Sequence, residues 1–167
     1  MNGQKHYTEE ERRRLADEAA ALAGEHFRHG LNCGECVWKG FLDLGLSGFP
    51  PEIAALASGF GGGMGGTGHT CGAVNAGMLV ISSMHGRKDP YEKETFEERF
   101  DQLHHEGTGI YPRHAEYIRA VITELGTIEC RDLCFPYPDH DSRDRKRNCK
   151  KIIELCTRIA TEMALRD

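Results

Sequence analysis

Apolar residues recur at three- and four-residue steps along most of this chain, the spacing of a helix face. Thr8 with Glu11 makes a capping box, and Leu15, Ala19, Leu22, Ala23 and Phe27 then form one stripe that stops at Gly30. Asn32 is placed to cap a second helix carrying Cys33, Val37, Phe41 and Leu44 on one face. "FPPEIAALASGF" predicts a short third helix with proline in its first turn. Thr70 is expected to cap a fourth, from Cys71 to about Met84, which is apolar nearly all round and so belongs at the centre of the fold. Phe96, Phe100 and Leu103 mark a fifth helix. Tyr111, Ala115, Ile118, Ile122 and Leu125 mark a sixth, ended by Gly126, and Cys149, Ile152, Cys156, Ile159 and Met163 a last one. Only "LVIS" is ambiguous between helix and strand. The expected fold is all-α: one domain over residues 1–167, a bundle of five to seven helices with a Gly-rich loop before a central apolar helix.

Bulk properties narrow the function classes. The chain has 167 residues, a formal charge of −5 and a pI near 6.0, which gives no general attraction to nucleic acid or to acidic membranes. No run approaches the ~18 consecutive apolar residues of a membrane span. The N-terminal stretch "MNGQKHYTEEERRRLADEAAALAG" is charged and amphipathic, without an apolar signal region. A cytoplasmic location is therefore expected, and a homodimer on general frequency alone; a redox protein as partner is expected only on the redox reading that the family resemblance below implies.

In that compartment thiols stay reduced, so seven cysteines point to metal binding or thiol chemistry rather than a disulfide framework. The alternative for any one of them is a small buried apolar side chain. Cys33, Cys71 and Cys130 fall at predicted helix starts, and Cys149 lies early on the last helix. Free N–H groups there favour thiolate, the form that ligates metal or attacks a disulfide. Cys33 and Cys36 form a CxxC, and Cys130 and Cys134 share a helix face, so these four are a competing metal set. Cys156 reads as core. Of the histidines, His69 is best placed to join a site.

Eight of the fourteen residues from Gly59 to Gly72 are glycine, and Cys71 lies at the end of that run. Gly61-Gly62-Gly63-Met64-Gly65-Gly66 satisfies G-x-G-x-x-G, but no strand precedes it, and no Gly-Lys-Ser/Thr closes a phosphate loop. Two readings remain. Gly61, Gly62, Gly63, Gly65 and Gly66 offer backbone N–H groups to a bound anion or cluster, or they permit a tight helix-packing turn.

"LNCGECVWKGF", "ASGFGGGMGGTGHTCGAVNAG", "IECRDL" and "NCKKIIE" together resemble the redox-active family named for its C_GCAxxG_C_C cysteine pattern. The resemblance spans about Gly30 to Ala164. It implies four shared cysteines, which fall on Cys33, Cys71, Cys130 and Cys149, and it implies a redox centre or an iron–sulfur cluster. Selenocysteine replaces a cysteine in some members, and related domains occur in haem electron carriers of the split-Soret type. This chain lacks their CxxCH. It also has Ala76 where the pattern has glycine, and Cys36, Cys134 and Cys156 are additional to the pattern.

Three functions follow as expectations. The first is electron transfer by a [2Fe–2S] or [4Fe–4S] cluster on Cys33, Cys71, Cys130 and Cys149. The second is a metal-free thiol–disulfide oxidoreductase using a pair such as Cys33 and Cys71. The third is structural zinc in a helical interaction module.

Overall fold

The computed structural model describes residues 6–167; residues 1–5, the start of the charged N-terminal stretch, lie outside it. Seven α-helices and one 3-10 helix follow one another, and no strand occurs among the described residues. The helices are α1 (Glu9–Arg28), α2 (Cys33–Leu42), α3 (Gly72–His85), α4 (Phe96–His104), α5 (Ile110–Leu125), α6 (Cys130–Cys134) and α7 (Arg143–Ala164), with the 3-10 helix at Pro51–Phe60. The all-α expectation holds, with one helix more than its upper bound.

Local signals set most boundaries. Thr8 and Asn32 each accept from backbone N–H groups, while Glu11 and Glu35 reach back to complete two capping boxes. Gly126 closes α5 in the left-handed region. Thr70 does not cap α3. Cys71 holds that position without a side-chain cap, because Thr70 is drawn into an isolated antiparallel bridge with Glu129.

α1, α2, α3 and α7 pack together, and α5 covers α3 and α7. α3 is the central helix, burying Ala73, Val74, Ala76, Val80 and Ile81. The stripe expected on α1 is displaced: Ala16, Ala19, Ala20 and Ala23 are buried, while Leu15, Leu22 and Phe27 flank them half-buried. Small residues win because α2 comes very close, so that a Cβ at Gly40 would lie 2.8 Å from the Ala19 carbonyl oxygen.

Two other faces also differ from expectation. α5 turns Ile110, Tyr117 and Val121 inward and leaves Tyr111 and Ile122 exposed. Tyr117 fits because α3 presents Gly77, where any side chain would collide with the tyrosine ring. α4 buries nothing: Phe96 and Phe100 stack on its outside, with His104 against Phe100. α4 lies at the edge of the bundle against α5, and of its apolar residues Leu103 packs on the core while Phe96 and Phe100 stay exposed.

Candidate redox centre

Five cysteines line one cavity of about 330 Å³: Cys33, Cys71, Cys130, Cys134 and Cys149. Its other walls include Phe27, Leu31, Leu133 and Ile152, with the charged Arg145 and Lys146 and the His140 ring, and no Asp or Glu lines it. On one side, Cys33 opens α2 and Cys71 precedes α3. On the other, Cys130 and Cys134 are the two ends of α6, and Cys149 lies in the second turn of α7.

Local structure explains the first pair. Asn32 Oδ1 accepts from Gly34 N and Glu35 N at 3.0 Å each, fixing the start of α2 and therefore Cys33. The same side chain donates to the Ser58 carbonyl at 3.1 Å, tying α2 to the segment that leads into the glycine loop. Helix starts then meet closely: a Cβ on Gly72 would lie 2.7 Å from Cys33 Sγ. Glycine is required there by the Phe60 carbonyl oxygen, closer still to the same point, and by the Cys33 sulfur.

The second group is assembled by the loop. Cys71 N donates to Ile128 O at 2.8 Å, Cys130 N to His69 O at 2.9 Å and Arg131 N to Gly68 O at 2.9 Å. These bonds bring Cys130 beside the loop despite the long sequence between them. Gly63, at φ 74°, passes so close that a Cβ would lie 2.6 Å from that of Cys130. α7 is joined to α6 by Asn148 Nδ2 donating to Leu133 O at 3.0 Å, which sets Cys149 near Cys134.

The thiols fall into a pair and a trio. The Cys71 thiol donates to Cys33, and this bond, with backbone N–H groups of Gly62 and Gly34, outweighs burial and lowers Cys33 to about 6. Cys71 is raised by the same bond and by burial. In the trio, the Cys130 and Cys149 thiols both donate to Cys134, which holds Cys134 well below an ordinary thiol, with Arg145 and His140 adding to the effect. Cys130 and Cys149 are raised, first by donating and then by burial. In each group the neighbouring S–H groups favour the ionised form of one thiol, Cys33 in the pair and Cys134 in the trio.

Cys36 and Cys156 stand apart. Neither lines the cavity, both are fully buried, and burial first of all pushes each up to about 12. Cys36 donates to the Leu31 carbonyl at 3.4 Å, and Cys156 lies beside the buried Tyr117 hydroxyl, which has no partner of ordinary hydrogen-bond geometry. The competing Cys33/Cys36 plus Cys130/Cys134 set is therefore not brought together. Among the described residues, no three His, Cys, Asp or Glu side chains converge on a position for a single metal ion.

The glycines divide similarly. Gly62 alone of the loop lines the cavity, and Gly66 lines an adjoining outer cleft of about 600 Å³ with Cys130, Cys134, Arg131 and Phe135. Much of the loop's N–H capacity is spent internally: Gly66 N donates to Gly61 O, Thr67 N to Gly63 O and Gly68 N to Gly62 O. His69 turns outward, accepting from Arg131 at 2.9 Å, and His140 lines the cavity instead. Sequence patterning had placed Cys134 on the Cys130 face, yet only the docking of α7 reveals that it joins Cys149 too.

A family model described as "Putative redox-active protein (C_GCAxxG_C_C)" matches residues 31–163, a range that contains all seven cysteines. No curated protein matches the chain. No solved structure matches it either.

Proposed function

The chain belongs to the C_GCAxxG_C_C family, and on that premise we propose that it binds a cysteine-ligated iron–sulfur cluster and transfers electrons to and from a partner protein. The observation that carries this reading is the convergence of five cysteines from α2, α3, α6 and α7 on one cavity free of carboxylates. Four thiolates hold an iron–sulfur cluster, and a two-iron cluster takes two of them at each iron. A thiol pair facing a thiol trio has the chemistry for that division. A single zinc ion would draw four thiolates to within about 3.8 Å of one another. These five surround about 330 Å³ instead.

When bound, the cluster supplies the redox couple. Cys33 and Cys71 hold it on one side and two thiols of the α6–α7 group on the other. Leu31, Leu133 and Ile152 exclude water from it, and the Arg145 and Lys146 charges offset the anionic thiolates. No membrane-crossing helix occurs among the described residues, and a cytoplasmic electron carrier is the reading we adopt.

The test is iron, zinc and acid-labile sulfide per chain in protein purified without oxygen. Iron with matching sulfide supports the cluster; stoichiometric zinc without sulfide replaces it with a structural site. Absence of all three leaves a second reading, favoured by the placing of Cys33 and Cys71 side by side where the starts of α2 and α3 meet. Those two thiols would then cycle with a disulfide, releasing two electrons and two protons to a disulfide-class acceptor. Alkylation of Cys33 no faster than that of free cysteine would remove it.

A further inference from the structure

Three thiols stand on the α6–α7 side of the cavity, where the cluster reading requires two. Cys134 is the shared neighbour among them, meeting both Cys130 and Cys149. It is 5% exposed and, like Cys130, lines both the inner cavity and the outer cleft. The four-residue spacing along α6 turns it to the same side as Cys130. Cys134 belongs to the buried core, as Cys36 and Cys156 do, but it also lines the cavity, whereas those two are fully enclosed away from it.

On this side Cys134 is the thiol that neighbours both of the others, Cys130 and Cys149. We propose that Cys134 is one of the four thiolates that hold the redox group, beside Cys33 and Cys71, and that Cys130 and Cys149 can each fill the remaining position. The four cysteines that the family resemblance implies do not include this residue, and the assignment rests on the cluster reading above.

The experiment compares anaerobically purified wild type with C134S, C130S, C149S, the C130S/C149S double variant and C36S as a control. Iron and sulfide per chain, the visible spectrum, the electron paramagnetic resonance of the reduced protein and iron retention against a chelator are measured. C134S is expected to weaken iron retention by at least roughly tenfold, since even an outer-shell partner of a metal ligand contributes that much. C130S and C149S should each keep iron and sulfide with altered spectra, and the double variant should lose both. Circular dichroism and melting of C134S that match chelator-treated wild type identify loss of a ligand rather than of the fold. If C134S instead keeps wild-type iron, sulfide and spectrum, or if C130S or C149S alone empties the site, the assignment is overturned while the cluster reading stands. Wild type without iron and sulfide overturns both.

Discussion

Cys33 and Cys71 stand at the starts of two core helices, α2 and α3, whereas Cys130 and Cys134 ride on a five-residue helix sewn to a glycine loop. The first side inherits its position from buried packing: Val37, Phe41, Val74 and Ala76 are inaccessible directly behind it. The second side is positioned by a few backbone hydrogen bonds and by one Asn148 contact from α7. One side therefore has two thiols and little freedom, while the other has a third thiol and a less deeply anchored frame. A single site can thus combine a fixed grip with an adaptable one.

The largest expected effect comes from breaking the fixed side. Cys71→Ser should abolish the visible absorbance and nearly all bound iron of anaerobic protein, because no third thiol stands beside the pair. Unchanged colour would exclude Cys71 as a ligand and erase the contrast between the sides.

The loop comes next. Gly63→Ala combines a left-handed backbone with overlap against Cys130 and the His69 backbone and should cost about 2–6 kcal/mol, summed from strain and overpacking. Gly66→Ala, at φ 82° with open space around it, should cost only about 1–2 kcal/mol. Denaturant melts of the two variants check the difference; equal costs would show that the loop does not press on α6.

Overpacking at the fixed side is expected to be intermediate in kind. Gly72→Ala must displace both Cys33 Sγ and the Phe60 carbonyl, at about 1–3 kcal/mol, and on the cluster reading it should also alter the visible spectrum. A destabilised protein with an unaltered spectrum would separate the packing of Gly72 from the site.

The smallest effect lies away from both sides. Burial first of all lowers the pKa values of His85 and His114, with the Arg113 charge adding at His85. The unfolded chain then binds more protons than the folded one below the ordinary value of 6.5. Stability from these two groups is present above that value and declines as pH falls below it. Melting temperatures from pH 8 to 5 should fall for wild type and fall less for the H85N/H114N variant, while iron content at pH 6 to 8 stays constant. An equal decline in both proteins would exclude these histidines as its source.

Helix starts, the central place of α3 and four of the five cavity cysteines were legible in the sequence, because caps and apolar periodicity act within a few residues. Thr8, Asn32 and Gly126 each do their work on their own turn of chain. The inner faces of α4 and α5 were not legible, since each carries more apolar surface than its place can bury. Gly77, on another helix, decides that Tyr117 rather than Tyr111 turns inward. The same division governs the site. Residue type and helix position marked cysteines able to become thiolates, but burial separated Cys36 and Cys156 from the set and the contact of α6 with α7 added Cys134. Those choices depend on backbone bonds and packing between segments far apart in sequence, such as Cys130 N to His69 O. Such bonds exist only once the helices have closed on one another.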